Sequence, residues 1–205
     1  MNTSTTVLSA REISYSTSDG RILGENINVE LGKGEILLIA GPNGSGKTTL
    51  LNVLLGKLKP NSGTVQLNLP DSSIGYLPQL LDSEMHIPVS LRDVINIAFK
   101  DKLDDDAIGA FGLITQKHLP LNWNRASGGE KRRTLLTRTF LQNPELLILD
   151  EPFNHLDANS RQVIVAAVHD FIFKENKSAI LIAHEGFENY TQRDFSDIPF
   201  KRVAL

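Results

Sequence analysis

The chain has 205 residues, no cysteine and a formal net charge of −3, with an isoelectric point near 6.0. That length allows one α/β core with an insertion, the missing cysteines exclude disulfides and thiol chemistry, and the mild acidity gives no sign of a nucleic-acid surface. No apolar stretch approaches the roughly 18 residues needed to cross a bilayer, and the polar start, Met1 to Thr6, lacks the charged and apolar regions of a signal peptide.

The alternation from Val7 to Tyr15 predicts a half-buried strand, followed by a turn at Ser18-Asp19-Gly20 and strands over Asn26–Leu31 and Glu35–Ala40. A glycine-rich loop, Gly41-Pro42-Asn43-Gly44-Ser45-Gly46-Lys47-Thr48, separates the last of these from a helix starting at Thr49. Pro60-Asn61-Ser62-Gly63 marks a turn into a short antiparallel strand, Thr64–Leu67. Beyond Tyr76-Leu77-Pro78-Gln79, residues 80–124 turn helical, with Leu91, Val94, Ile95 and Ala98 on one face and an acidic run from Asp101 to Asp106. This reads as an inserted helical lobe. Ser127-Gly128-Gly129-Glu130 then opens a helix whose Lys131-Arg132-Arg133 run reads as a solvated face, and Asn143-Pro144-Glu145 ends it. Leu146–Leu149 is apolar without alternation, so it reads as a strand buried on both faces. A helix over Ala158–Lys174 follows, offering Val163, Ile164, Ala166 and Ala167 for packing, and a strand over Ala179–Ala183 ends at His184. The expected fold is one α/β domain over 1–205: a mostly parallel sheet with flanking helices, an antiparallel β part at the N-terminus and the lobe at about 80–124.

Strand, glycine loop and helix in that order are what a phosphate-binding P-loop requires. The glycines let the loop wrap a polyphosphate with its N–H groups pointing inward at a helix N-terminus. Lys47 is placed to neutralise the β and γ phosphates, and the Thr48 hydroxyl to ligate Mg²⁺. Asp150 and Glu151 stand at the C-terminal edge of the buried strand, where ligands sit in parallel α/β sheets. Asp150 there suits Mg²⁺, and Glu151 suits a base that polarises the attacking water. Ser127-Gly128-Gly129 before a helix offers a hydroxyl and unhindered N–H groups, either as a second anion site or as a plain N-cap. His86, His118 and His169 show no metal-ligand spacing, and His155 reads as structural or interfacial.

Taken together, from Tyr15 to His184, these motifs resemble the ATP-binding cassette (ABC) ATPases. The resemblance implies that Tyr15 stacks on adenine and that Gly41 to Thr48, with Thr49 beside it, forms the Walker A loop. It implies that Gln79 touches Mg²⁺ and the attacking water, and that His184 is the switch histidine on the γ-phosphate. Ser127, Gly128, Gly129 and Glu130 match the signature that closes on a partner subunit's ATP, and Asp157 matches the D-loop aspartate. Ala126 stands where leucine is usual, Glu130 where many members have glutamine, and Ala183-His184-Glu185 replaces Thr-His-Asp. None of these departures removes a phosphate contact or the catalytic carboxylate, so an active hydrolase using ATP and Mg²⁺ is expected.

In that family the Walker loop and the signature meet only across two subunits, which implies an ATP-sandwich dimer with a second copy or a homologous subunit. The resemblance further implies separate membrane-spanning permease subunits gripped by the lobe and a place on the cytoplasmic face of the membrane, while the mild acidity leaves no nucleic-acid partner expected. The segment with Asp82 and Ile87 to Val94 looks like that of ATPases serving metal-ion or iron-chelate import, which adds a substrate-binding protein to the expected partners. A soluble mechanical ATPase acting on ribosomes or DNA is the alternative, although those usually carry two cassettes or a long coiled coil.

Overall fold

The computed structural model describes residues 5–17, 19–79, 88–154, 156–184 and 193–205. The strands β1 (Thr6–Ser16) and β2 (Ile22–Gly32) form an antiparallel hairpin, and β3 (Ile36–Gly41) leads into α1 (Lys47–Leu54). The strands β4 (Ser62–Leu67) and β5 (Ile74–Leu77) follow, then the short helices α2 (Leu91–Asn96) and α3 (Asp105–Gly109). The chain continues through α4 (Gly128–Leu141), β6 (Leu146–Asp150), α5 (Ala158–Lys174), β7 (Ser178–His184) and β8 (Phe200–Ala204). Among the described residues, one sheet is antiparallel in the order β2-β1-β4, and the other is parallel in the order β5-β6-β7-β3-β8.

The parallel sheet explains its own sequence. Every residue of β3 is buried, as are Leu146–Leu149 of β6, so these strands carry aliphatic side chains on both faces. Alternation then sorts them. Ile36, Leu38, Leu147, Leu149, Ala179 and Leu181 face one core with α4 and α5, whereas Leu37, Ile39, Leu146, Ile148, Ile180 and Ile182 face a second core with α1 and the hairpin.

Some expectations change. The helix at the glycine loop starts at Lys47 rather than Thr49, which puts the first amides of the helix directly behind the loop. The run Leu91, Val94 and Ile95 is buried, but α2 ends at Asn96 and Ala98 is exposed, because the helical period stops before reaching it. On α5 the packed residues are Ile164, Val168, Phe171 and Ile172, with Val163 and Ala167 half-buried and Ala166 exposed. The strands β5 and β8 escape the sequence pattern. In β5 a glycine sits where a Cβ would come within 2.7 Å of Pro144 and Thr139, so Gly75 trades strand propensity for close packing under the end of α4.

Candidate nucleotide site

The register of the parallel sheet assembles the site. Gly41 pairs with His184, Asp150 with Ile182 and Leu77 with Leu149, so the C-terminal ends of β3, β7, β6 and β5 lie along one edge. One cavity at that edge is lined by Asn43, Gly44, Gly46, Lys47, Thr48, Thr49, Gln79, Asp150 and Glu151. Residues far apart in sequence thus converge on one opening.

The loop has the backbone of an anion cradle. Gly44 and Gly46 have φ of 77° and 99°, in the left-handed region that favours glycine. A Cβ on Gly46 would also meet Leu23 at 3.0 Å. Lys47 is buried with its Nζ donating to the carbonyls of Gly41 and Pro42 at 2.8 and 2.9 Å, which aims the ammonium back across the mouth of the loop. Ser45 Oγ is buried without a hydrogen-bond partner. The left-handed Gly44 and Gly46, the Lys47 ammonium held at the mouth of the loop and the start of α1 behind it fit a polyphosphate.

The carboxylates are held in different ways. Burial pushes the Asp150 carboxyl above the ordinary carboxylate range, and a hydrogen bond from Tyr76 Oη at 3.3 Å opposes the shift. The Tyr76 hydroxyl is itself raised to about 12, by burial first and by the Asp150 charge second. Glu151 sits at φ 48°, a strained position for a non-glycine residue. It is over-determined there: its N–H donates to Ile182 O at 3.0 Å, and its carbonyl accepts from Arg132 Nη1 at 2.6 Å. Gln79 Nε2 and Asn154 Nδ2 both donate to its Oε2, at 2.8 and 2.9 Å. The carboxylate is therefore fixed in orientation before any substrate arrives.

Arg132 is a residue that sequence reading placed wrongly. The Lys131-Arg132-Arg133 run is not a solvated face: Arg132 is buried, Arg133 Nη1 donates to Ser160 Oγ at 3.1 Å, and Lys131 lies 5.6 Å from the Trp123 ring centre. Desolvation lowers the pKa of Arg132, and the Glu151 and Asp150 charges oppose that. Only its partner at the strand end, remote in sequence, reveals the role.

Tyr15 also departs from expectation. The ring is 1 % exposed and packs in the core shared by α1 and the hairpin, its hydroxyl is buried without a partner, and burial raises its pKa to about 12. A ring enclosed in this way presents no face to adenine. Thr17, Arg21 and Leu23 line the cavity instead.

The signature residues lie outside the cavity. Ser127 caps α4 in a reciprocal box with Glu130: Ser127 N and Oγ each donate to Glu130 Oε2 at 2.8 Å, and Glu130 N donates back to Ser127 Oγ at 3.2 Å. Both readings of Ser127 stay compatible, since the cap leaves Ser127 and Gly128 exposed. Asp157 caps α5 through Ser160 N at 2.9 Å and is likewise exposed. His184 is half-buried at the end of β7. His155, His86, Asp82 and Ile87 lie outside the described residues. Among those described, no cluster of three or more His, Cys, Asp or Glu could hold a metal ion, and no helix is long and apolar enough to cross a membrane.

Comparison with known proteins agrees with this geometry. The ABC transporter family model matches residues 24–154. The zinc import ATP-binding protein ZnuC of Vibrio parahaemolyticus is 34% identical over 180 residues, covering 87% of this chain and 68% of that one. The solved structure of cbiO1 from Clostridium perfringens, part of the ABC transporter complex cbiONQ, is 27% identical with a TM-score of 0.74, covering 88% of this chain and 79% of that chain. A metal-chelate type ABC transporter in an inward-facing conformation superposes with a TM-score of 0.77 at 23% identity, covering 98% of this chain and 80% of that chain. The chain belongs to the ABC transporter family and is one of its ATP-binding, ATP-hydrolysing subunits.

Proposed function

We propose that this ATPase energises a membrane importer of divalent metal, zinc being the cargo that its relatives' name suggests. In this reading residues 1–205 form one cassette at the cytoplasmic face of a membrane, working with separate permease subunits and a substrate-binding protein. The observation that carries the ATPase mechanism is the convergence of Lys47, Thr48, Gln79, Asp150 and Glu151 on one cavity at the sheet edge.

The amides of residues 43–49 and the Lys47 ammonium hold the β and γ phosphates of ATP. The donor set of Thr48 hydroxyl, Gln79 carbonyl and Asp150 carboxylate is all hard oxygen, as Mg²⁺ demands, and Mg²⁺ held there would neutralise charge on the phosphates. Glu151, oriented by Gln79 and Asn154, accepts a proton from the attacking water, while His184 contacts the γ-phosphate from the end of β7. Ser127, Gly128, Gly129 and Glu130 point away from this cavity and serve the ATP of a partner copy, with Asp157 at the contact between copies. Loss of the γ-phosphate on hydrolysis then releases the closed dimer.

The lobe supplies the surface for the permease. A groove lined by Val89, Val94, Ile97, Phe99 and Arg138 opens on it, and Ile97 is 80% exposed. Met85 and Ile87, also natural sites to perturb this lobe, lie outside the described residues. Ile97→Asp should leave ATP binding intact, because it is remote from the phosphate contacts, yet weaken co-purification of the membrane subunits by at least about tenfold, since an unpaired charge buried at an interface costs several kcal/mol. The measurement is pull-down from detergent-solubilised membranes beside co-sedimentation with ribosomes and DNA. Recovery on ribosomes or DNA with no membrane subunit would reject the transporter in favour of a soluble mechanical ATPase.

A further inference from the structure

Phosphate binding accounts for one end of the cavity and leaves the other end, against the β1–β2 hairpin, without an assigned role. Three side chains face it there: Thr17, Arg21 and Leu23. Among the described residues that line the cavity, none is aromatic. The nearby aromatic, Tyr15, is turned into the core. Its Cε1 would stand 2.6 Å from a Cβ on Gly24, so the ring occupies the space that the glycine opposite it leaves open.

The hairpin end is built to hold a fixed position. Thr17 N donates to Arg21 O at 2.9 Å, Thr17 Oγ1 donates to the same carbonyl at 3.2 Å, and Arg21 N donates to Thr17 Oγ1 at 3.1 Å. The single proton of the Thr17 hydroxyl is shared between that carbonyl and the Asp19 carboxylate. Leu23 in turn packs against Gly46 of the phosphate loop, within 3.0–3.4 Å of where a Cβ would be. The backbone of Arg21 is therefore held beside the phosphate loop while its side chain remains exposed at the cavity rim.

We propose that Arg21 and Leu23 form the nucleobase subsite, and that it takes ribonucleoside triphosphates with little discrimination between bases. The inference rests on the nucleotide-site reading above. A planar guanidinium stacks on any base, because every base has a π face. Leu23 adds apolar contact that is equally indifferent. Strong rejection of one base in favour of another needs a rigid set of hydrogen bonds to its edge, and among the described rim residues the uncharged polar side chain is that of Thr17, already engaged by Asp19. Affinity is then set by the triphosphate.

The test is a set of equilibrium affinities for ATP, GTP, UTP and inorganic triphosphate, measured by calorimetry on the full chain and on Arg21→Ala. The subsite predicts ATP and GTP dissociation constants within about threefold of each other. Arg21→Ala should weaken all three nucleotides roughly three- to fivefold and leave inorganic triphosphate unchanged. Tyr15→Phe, which removes only the buried hydroxyl, should leave every affinity unaltered. ATP bound more than about tenfold tighter than GTP would overturn the proposal, as would an Arg21→Ala protein that loses inorganic triphosphate in parallel with ATP, since that would make Arg21 a phosphate ligand or a structural residue. If not even inorganic triphosphate binds, the nucleotide site itself is misassigned and the subsite falls with it.

Discussion

Asp150 and Glu151 are adjacent in sequence but sit in different environments. Burial is the largest influence on the Asp150 carboxyl and raises its pKa, with the Tyr76 hydrogen bond opposing it and the Glu151 charge adding to it. The folded pKa thus lies above the unfolded one, so the folded chain binds this proton more tightly. Ionised Asp150 costs stability at any pH above the folded pKa, and the cost shrinks as pH falls through the folded pKa and is gone below the unfolded one. Asp150→Asn should accordingly raise the thermal midpoint of the nucleotide-free protein by a few degrees at neutral pH, while cutting Mg²⁺-dependent hydrolysis on the order of 100-fold or more. Differential scanning calorimetry and phosphate release check the two halves, and a lowered midpoint would mean that the carboxylate is structural. The glycine loop, Asp150 and Glu151 could be read from sequence because their chemistry is set by neighbours a few positions away. Arg132 and the Thr17, Arg21 and Leu23 rim could not, because their partners come from other elements. Tyr15 misled because its stacking role came from motif position alone, whereas the alternation of Val7, Ile13 and Tyr15 already put the ring on the inward face of β1.

Among the elements, the start of α4 shows how two adjacent glycines differ. A Cβ on Gly129 would meet Ser160 Oγ at 2.6 Å and Ser160 Cβ at 3.1 Å, whereas a Cβ on Gly128 would meet nothing within 4 Å. The contact lets α4 approach the first turn of α5, to which Arg133 also bonds through Ser160. Alanine is the better helix former, by less in this first turn than the roughly 1 kcal/mol of a helix interior, and at Gly129 overpacking of about 1–3 kcal/mol outweighs it. Gly129→Ala should lower the urea midpoint of unfolding, and Gly128→Ala should leave it unchanged or raise it. Equal effects of the two would contradict the packing. Helices and strands that carry a full apolar pattern, such as α5 and β6, were legible in the sequence. The strand β5, with Gly75 under Pro144, and the edge strand β8, with exposed Lys201 and Arg202, were not, because tertiary pairing rather than propensity makes them strands.

For the whole molecule, the parallel sheet divides two cores and brings the phosphate loop, the Asp150–Glu151 strand end and His184 to one edge. The α/β class follows from sequence, but the order β5-β6-β7-β3-β8 does not, since strand order is decided by which helices cross which face. Ser127 and Gly128 remain exposed and away from the nucleotide cavity of their own chain, and that separation is what makes a second copy necessary to the proposed cycle. The most direct measurement is the molar mass of Glu151→Gln by light scattering, with and without Mg²⁺-ATP. Without a proton acceptor the γ-phosphate persists, so the protein should be monomeric alone and dimeric with ATP, and a further Ser127→Arg should return it to monomer while ATP still binds. A mass unchanged by bound ATP, or a dimer that forms without nucleotide and ignores Ser127→Arg, would contradict the ATP sandwich.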